Sequence, residues 1–192
     1  METHRNIFDA EISVFRIGTQ WETKSHWTSS IGEYINSSYE HADEVQAARK
    51  AYTAMLDAWK RGDVAEYKSM LNAYQSLKRV APVAIMQGVN PNRNNTDFTS
   101  FSDVVFLDID HSKPDKEPNG NEWVTDWQEL KRQLSALPFV AYMSLSAGGD
   151  GLHLFIPIKS HTKHEAHWRA LKHLFKKHLG ITIDPQTGNL GR

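Results

Sequence analysis

The chain has 192 residues, 40% of them hydrophobic, a net charge of −1 and no cysteine. That length can bury a core as one large domain or two small parts, and six Trp, six Tyr and eight Phe exclude a disordered chain. Without cysteine there are no disulfides and no cysteine-based zinc sites. No apolar run approaches the roughly 20 residues that span a bilayer, no signal-peptide core opens the chain, and the near-neutral charge excludes a globally basic nucleic-acid binder but not a local basic patch.

Glu11 to Arg16 alternates loosely and predicts a first strand, followed by a polar, Ser/Thr-rich connection. From about His41 to Arg61, Val45, Ala48, Tyr52, Met55, Leu56 and Trp59 recur at three- and four-residue steps, which predicts a helix with one apolar face. Gly62 is its stop. Asp63 with Glu66 opens a second helix, with Val64, Tyr67, Met70, Leu71, Tyr74 and Leu77 inward. This helical hairpin carries no obvious chemistry and reads as core. Pro82 to Met86 predicts a short strand, and Gly88 to Asp97 a loop of turn formers from which Arg93 can reach a phosphate or simply face solvent.

Val104-Val105-Phe106-Leu107-Asp108-Ile109-Asp110 predicts a buried strand with two aspartates near its end. Side chains alternate along a strand, so Asp108 and Asp110 share a face, with backbones about 7 Å apart. Such a pair either holds a divalent cation or caps the following loop in solvent. A helix with Trp123, Trp127, Leu130, Leu134 and Leu137 on one face comes next. Phe139 to Ser146 and Leu152 to Ile158 form a predicted hairpin around Ala147-Gly148-Gly149-Asp150-Gly151. Its glycines can present amides to a phosphate, with Ser146 and His153 as further contacts, or they make a plain turn. A last helix spans about Lys163 to Leu179, with Gly180 as its stop, and Ile181 to Asp184 predicts a strand ending in a third carboxylate. Lys159, Lys163, Arg169, Lys172, Lys176 and Lys177 face only Glu165 there, a stripe suited to a nucleic-acid backbone or to plain solvation. His161, His164 and His167, three apart on a face read as polar, do not carry a zinc reading. Strands interspersed with helices indicate a mixed α/β or α+β class.

In this order, the Asp-x-Asp strand, Ser146-Ala147-Gly148-Gly149-Asp150-Gly151-Leu152-His153-Leu154-Phe155-Ile156-Pro157, and a helix and strand ending in Asp184 resemble the archaeo-eukaryotic primase superfamily. The N-terminal half is similar to the VirE N-terminal, or Bacteroides-type primase N-terminal, domains of bacterial mobile elements. The resemblance covers most of the chain, most strongly residues 104–184. It implies an α+β primase catalytic fold: an N-terminal part (1–98) with a helical insert, and an RRM-like catalytic part (99–192), together one domain. It implies Asp108, Asp110 and Asp184 as catalytic ligands of Mg²⁺ or Mn²⁺. Ser146, Gly149, Gly151, His153 and Arg192 would contact the nucleotide, and Arg93, Lys172 and Lys176 the nucleic acid. Gly148 stands where many relatives carry a second Ser. The chain ends eight residues after Asp184, so the catalytic part is expected to be truncated.

The activity so implied is cytoplasmic template-directed nucleotidyl transfer from dNTPs or NTPs along a single-stranded DNA template or primer. It would serve replication or repair in a mobile element or defence system, beside a helicase or another replication domain. In the two-metal logic of such enzymes, one cation activates the attacking hydroxyl and the other stabilises the leaving pyrophosphate. A non-catalytic nucleotide- or single-strand-binding module and a metal-dependent nuclease are the alternatives.

Overall fold

A computed structural model describes residues 6–15, 25, 27–37, 42–79 and 83–190. Arg16, His41, Pro82 and Arg192, each part of a sequence expectation, lie outside the described residues.

The loose alternation near the start forms β1 (Glu11–Phe15). It is the middle strand of a three-stranded antiparallel sheet, ordered β2-β1-β3. Being central, it is buried on both faces; even Ser13 is enclosed, and its hydroxyl accepts the Asn90 amide at 2.8 Å. The expected connection after β1 instead contains β2 (Trp27–Ser30) and α1 (Ile31–Ser37). Here Ser30 and Glu33 make a reciprocal cap: Ser30 Oγ accepts the Glu33 amide and Glu33 Oε2 accepts the Ser30 amide, both at 3.1 Å. β3 is Val83–Ile85, and β4 (Gly88–Val89) pairs with β5 (Ser100–Phe101).

The hairpin consists of α2 (Ala42–Lys60) and α3 (Val64–Lys78). Gly62 turns the chain at φ 75°, and Asp63 Oδ1 accepts the Glu66 amide at 2.9 Å. Two expected core positions are outside: Trp59 is 41% and Val64 53% exposed. The buried stripe runs Ala48, Tyr52, Met55, Ala58, so Trp59 falls at its edge, where its ring rests on Tyr67 at 5.0 Å. Val64 opens α3, before the helix has turned its face inward.

β6 (Val104–Asp110), β7 (Tyr142–Leu145) and β8 (Gly151–Pro157) form an antiparallel sheet, ordered β6-β8-β7. On one face Val105, Leu107, Ile109, Leu152, Leu154 and Ile156 pack on α4 (Trp127–Leu134) and α5 (His164–Leu174). Trp123 is 54% exposed rather than inward, because α4 begins only after Asp126, whose carboxylate accepts the Gln128 and Glu129 amides. α5 continues as a π-helical turn, Phe175–Leu179, closed by Gly180 at φ 71°. His164, expected on a polar face, is only 3% exposed.

Ile181 to Asp184 does not join the sheet as a strand. Ile181 and Ile183 are buried, but a single sheet-like bond reaches β6, from the Asp184 amide to the Asp108 carbonyl at 2.9 Å. The buried Asn121 side chain takes the place of a ladder, donating to the carbonyls of Asp110 and Thr182 and accepting the Thr182 amide, each at 2.8 Å. The succession β6-α4-β7-β8-α5 and then this segment beside β6 is the order of a ferredoxin-like β-α-β-β-α-β unit whose last strand is reduced to one bond. The protein is α+β.

The second face of this sheet positions the candidate site. At one end Val104, Phe106, Tyr142 and Phe155 pack against Ala10, Ile12, Ile31 and Met86 of the N-terminal part. At the other end the same face carries Asp108, Asp110 and His153. Among the described residues no helix is long and apolar enough to cross a membrane.

Candidate active site

β6 and β8 set the geometry by register: Asp108 lies opposite His153, and Asp110 opposite Gly151. Directly opposed residues share a face, so the two aspartates and the histidine project together. His153 Nε2 stands 3.6 Å from Asp108 Oδ1, close enough for charge but long for a hydrogen bond. Gly151 makes this crossing possible, since a Cβ there would meet the Ile109 carbonyl oxygen at 2.5 Å and Asp110 Cβ at 3.1 Å. On the other flank of β6, the backbone bond to Asp108 brings in Asp184, whose Oδ1 also accepts the Gln186 amide at 2.9 Å.

The carboxylates feel one another's charge. Burial first, and then the charges of Asp108, Asp150 and Asp184, push the Asp110 carboxyl up from 3.8 to about 6; Lys113 opposes the rise. Asp150 is thus a fourth member. It is 9% exposed, lies in the glycine loop, and accepts the Ser146 hydroxyl at 3.3 Å. Ser146 therefore points to Asp150. Gly149 adopts φ 79°, a left-handed conformation natural to glycine, with its amide donating to the Ser146 carbonyl at 3.0 Å. Asn119 steadies the end of β6, donating from Nδ2 to the Asp110 carbonyl at 2.8 Å.

The helical hairpin forms the opposite wall. Tyr52 of α2 and Tyr74 of α3 pack ring to ring at 5.1 Å. Burial, followed by the charge of Asp150 and then other carboxylates of the site, raises both phenols above their ordinary range, so they remain protonated donors. The Tyr74 hydroxyl lies 2.7 Å from where a Gly148 Cβ would stand. The Lys113 ammonium sits over both rings, 5.1 and 5.2 Å from their centroids. The Arg49 side chain lies over Gly149, its Nε 3.5 Å from the Cβ position there.

The expected basic contacts disperse. Arg93, at φ 46°, lies over the Phe15 ring of β1 at 5.8 Å. Lys172 rests on Trp168, on the helix-covered side of the sheet, at 5.1 Å. Lys176 donates to Thr182 Oγ1 at 3.0 Å, two residues before Asp184. Sequence reasoning missed Asp150, Arg49, Tyr52, Tyr74 and Lys113 as site residues. The one available signal was the three-residue step from Arg49 to Tyr52, which places both on one helix face.

Among the described residues no group of three or more His, Asp or Glu side chains is already gathered around one point. The donors nevertheless fit a hard divalent cation. They are carboxylate oxygens that repel one another, and a cation drawing them together would relieve the charge that raises Asp110.

No curated protein and no solved structure matches the chain. The family described as BT4734-like, N-terminal domain, matches residues 72–192, a span that includes Asp108, Asp110, Asp150, His153 and Asp184. Since that span exceeds half of the 192 residues, the chain belongs to the BT4734-like, N-terminal domain family.

Proposed function

We propose that this domain is a primase-polymerase of the archaeo-eukaryotic type, transferring nucleotidyl groups from dNTPs or NTPs to a nucleic-acid 3′-hydroxyl. The observation that carries the reading is that Asp108 and Asp110 share a sheet face with His153, while a backbone bond brings Asp184, from far along the chain, beside Asp108. The ferredoxin-like strand order supports an RRM-like catalytic unit.

Asp108, Asp110 and Asp184 would hold Mg²⁺ or Mn²⁺, which when bound supplies charge neutralisation for the attacking and leaving oxygens. The chain's own residues bind and orient. His153, fixed opposite Asp108, offers its ring to a phosphate or sugar oxygen. In the transfer the 3′-oxygen forms a bond to the α-phosphorus, the bond to the bridging oxygen breaks, pyrophosphate leaves, and the hydroxyl proton passes to solvent. Single-stranded DNA is the proposed template, and a helicase the proposed neighbour.

The test is primer synthesis and extension on single-stranded DNA with Mg²⁺ or Mn²⁺ and either dNTPs or NTPs. Product that disappears in Asp108→Ala supports the reading. Nucleotide binding without product would indicate a binding module instead. Shortening of labelled DNA without any nucleoside triphosphate would indicate a nuclease.

A further inference from the structure

The hairpin α2–α3, a plain structural insert by its sequence, lays a cation directly on the glycine loop. Arg49 crosses Gly149 with its stem and Nε. Among the described residues that buried Nε has no hydrogen-bond acceptor. A buried, unfilled donor is costly, and proteins seldom keep one without a use. Lys113 comes from the loop after β6 and is held by two ring faces rather than by a paired carboxylate. Arg49 and Tyr52 share one face of α2, Tyr74 faces them from α3, and the tyrosines seat Lys113. The site is therefore bipolar. Asp108, Asp110, Asp150 and Asp184 form its acidic half, and Arg49 and Lys113 its basic half.

A cation-bound polyphosphate has the matching polarity, with metal toward the carboxylates and phosphate oxygens toward a guanidinium and an ammonium. We infer that Arg49 and Lys113 bind the polyphosphate of the incoming nucleotide, so that the helical hairpin is a nucleotide-recognition element. This rests on the nucleotidyl-transfer reading for the identity of the ligand. The phosphate chemistry itself stands on Arg49, Lys113 and the glycine loop.

The test uses the full chain and three variants: Arg49→Met, which keeps the buried stem, Lys113→Gln, and Lys50→Ala on the exposed side of α2 as control. Melting temperature and circular dichroism confirm folding. Binding of inorganic tripolyphosphate, with and without Mg²⁺, is measured by calorimetry, beside binding of an oligo-dT and the nucleotide KM of synthesis. Loss of one charge-assisted contact is expected to weaken tripolyphosphate binding about tenfold in Arg49→Met and in Lys113→Gln. Lys50→Ala should leave it unchanged. A wild type that does not bind tripolyphosphate, folded variants that bind it within about twofold of wild type, or a loss confined to oligo-dT would overturn the inference. Tripolyphosphate binding that depends on Arg49 in a protein making no primer would support it and sink the nucleotidyl-transfer reading alone. Synthesis with an unchanged nucleotide KM in Arg49→Met would do the reverse.

Discussion

Asp110→Asn should make the protein more stable at neutral pH while removing a proposed catalytic ligand. Burial and three neighbouring carboxylates move the Asp110 carboxyl from 3.8 to about 6. The unfolded chain releases this proton near pH 4 and the folded chain near pH 6. Between those values the folded state holds more protons, so stability falls as pH rises. A shift of about two units corresponds to a ceiling of about 3 kcal/mol. Partial exposure and screening reduce this to about 1–2 kcal/mol. Asparagine keeps the shape and can still accept from Asn119 Nδ2, now 3.4 Å from Asp110 Oδ1. For a domain of this size, 1–2 kcal/mol is a rise in melting temperature of roughly 3–6 °C. Thermal unfolding from pH 4 to 8 reads it directly: a gap between Asp110→Asn and wild type that opens above pH 4 and levels off above about pH 6–7. Millimolar Mg²⁺ or Mn²⁺ should raise the wild-type melting temperature and close the gap, and EDTA should restore it. A gap equally wide at pH 4 and pH 8, or a variant that melts below wild type throughout, refutes the argument that Asp110 carries an uncompensated charge.

Three further outcomes follow from single contacts. Asn121→Ala leaves the Thr182 amide and two carbonyls without their side-chain partner and should cost about 2–4 kcal/mol; hydrogen exchange should show the Thr182 amide losing protection. Gly151→Ala forces a methyl onto the Ile109 carbonyl, so a loss of about 1–3 kcal/mol is expected in denaturant unfolding; an unchanged midpoint would mean β6 and β8 part easily. His164→Phe should stabilise the fold by about 1 kcal/mol, because neither ring nitrogen of the buried histidine finds a partner among the described residues. Burial, followed by the charge of His167, holds the His164 pKa below 6.5, with Glu165 opposing. The unfolded chain thus takes up its proton first, and wild-type stability falls as pH drops through 6.5 while that of the variant does not. Melting curves at pH 5.5 and 7.5 distinguish the two.

What the sequence discloses depends on whether the deciding interaction is local. β6 and β8 are readable because a strand covered on one face by helices and half covered on the other must be apolar along most of its length. α2 and α3 are readable because their stripes repeat at helical spacing and Asp63 caps in place. β2 is not, because Trp27-Thr28-Ser29-Ser30 is a mostly polar edge whose place is set by its pairing with β1. The reciprocal cap at Ser30 and Glu33 was present in the sequence and would have marked α1. Ile181 to Asp184 has the β-branched residues of a strand and is buried like one. Whether it pairs is decided by Asn121, roughly 60 residues away in the chain, which fills the hydrogen-bond positions a ladder would use.

The candidate site divides along the same line. Asp108 and Asp110 are two apart on one strand, and His153 follows a glycine loop, so each announces itself within a few residues. The other wall does not. Helical periodicity tells which face of α2 is buried, not what covers it, and a tyrosine in an apolar stripe counts as core although its hydroxyl needs a partner. Tyr52 and Tyr74 find carboxylates of the C-terminal half there, and Tyr67 donates to Asp115 at 2.6 Å. Three tyrosines of one hairpin thus turn their hydroxyls to acidic groups between Asp108 and Asp150, an arrangement that simple core packing does not require. The hairpin's docking is therefore tied to the charge state of the site. A ligand that neutralises the carboxylates removes the charges now raising those phenols, and the hairpin then sits against a neutral partner.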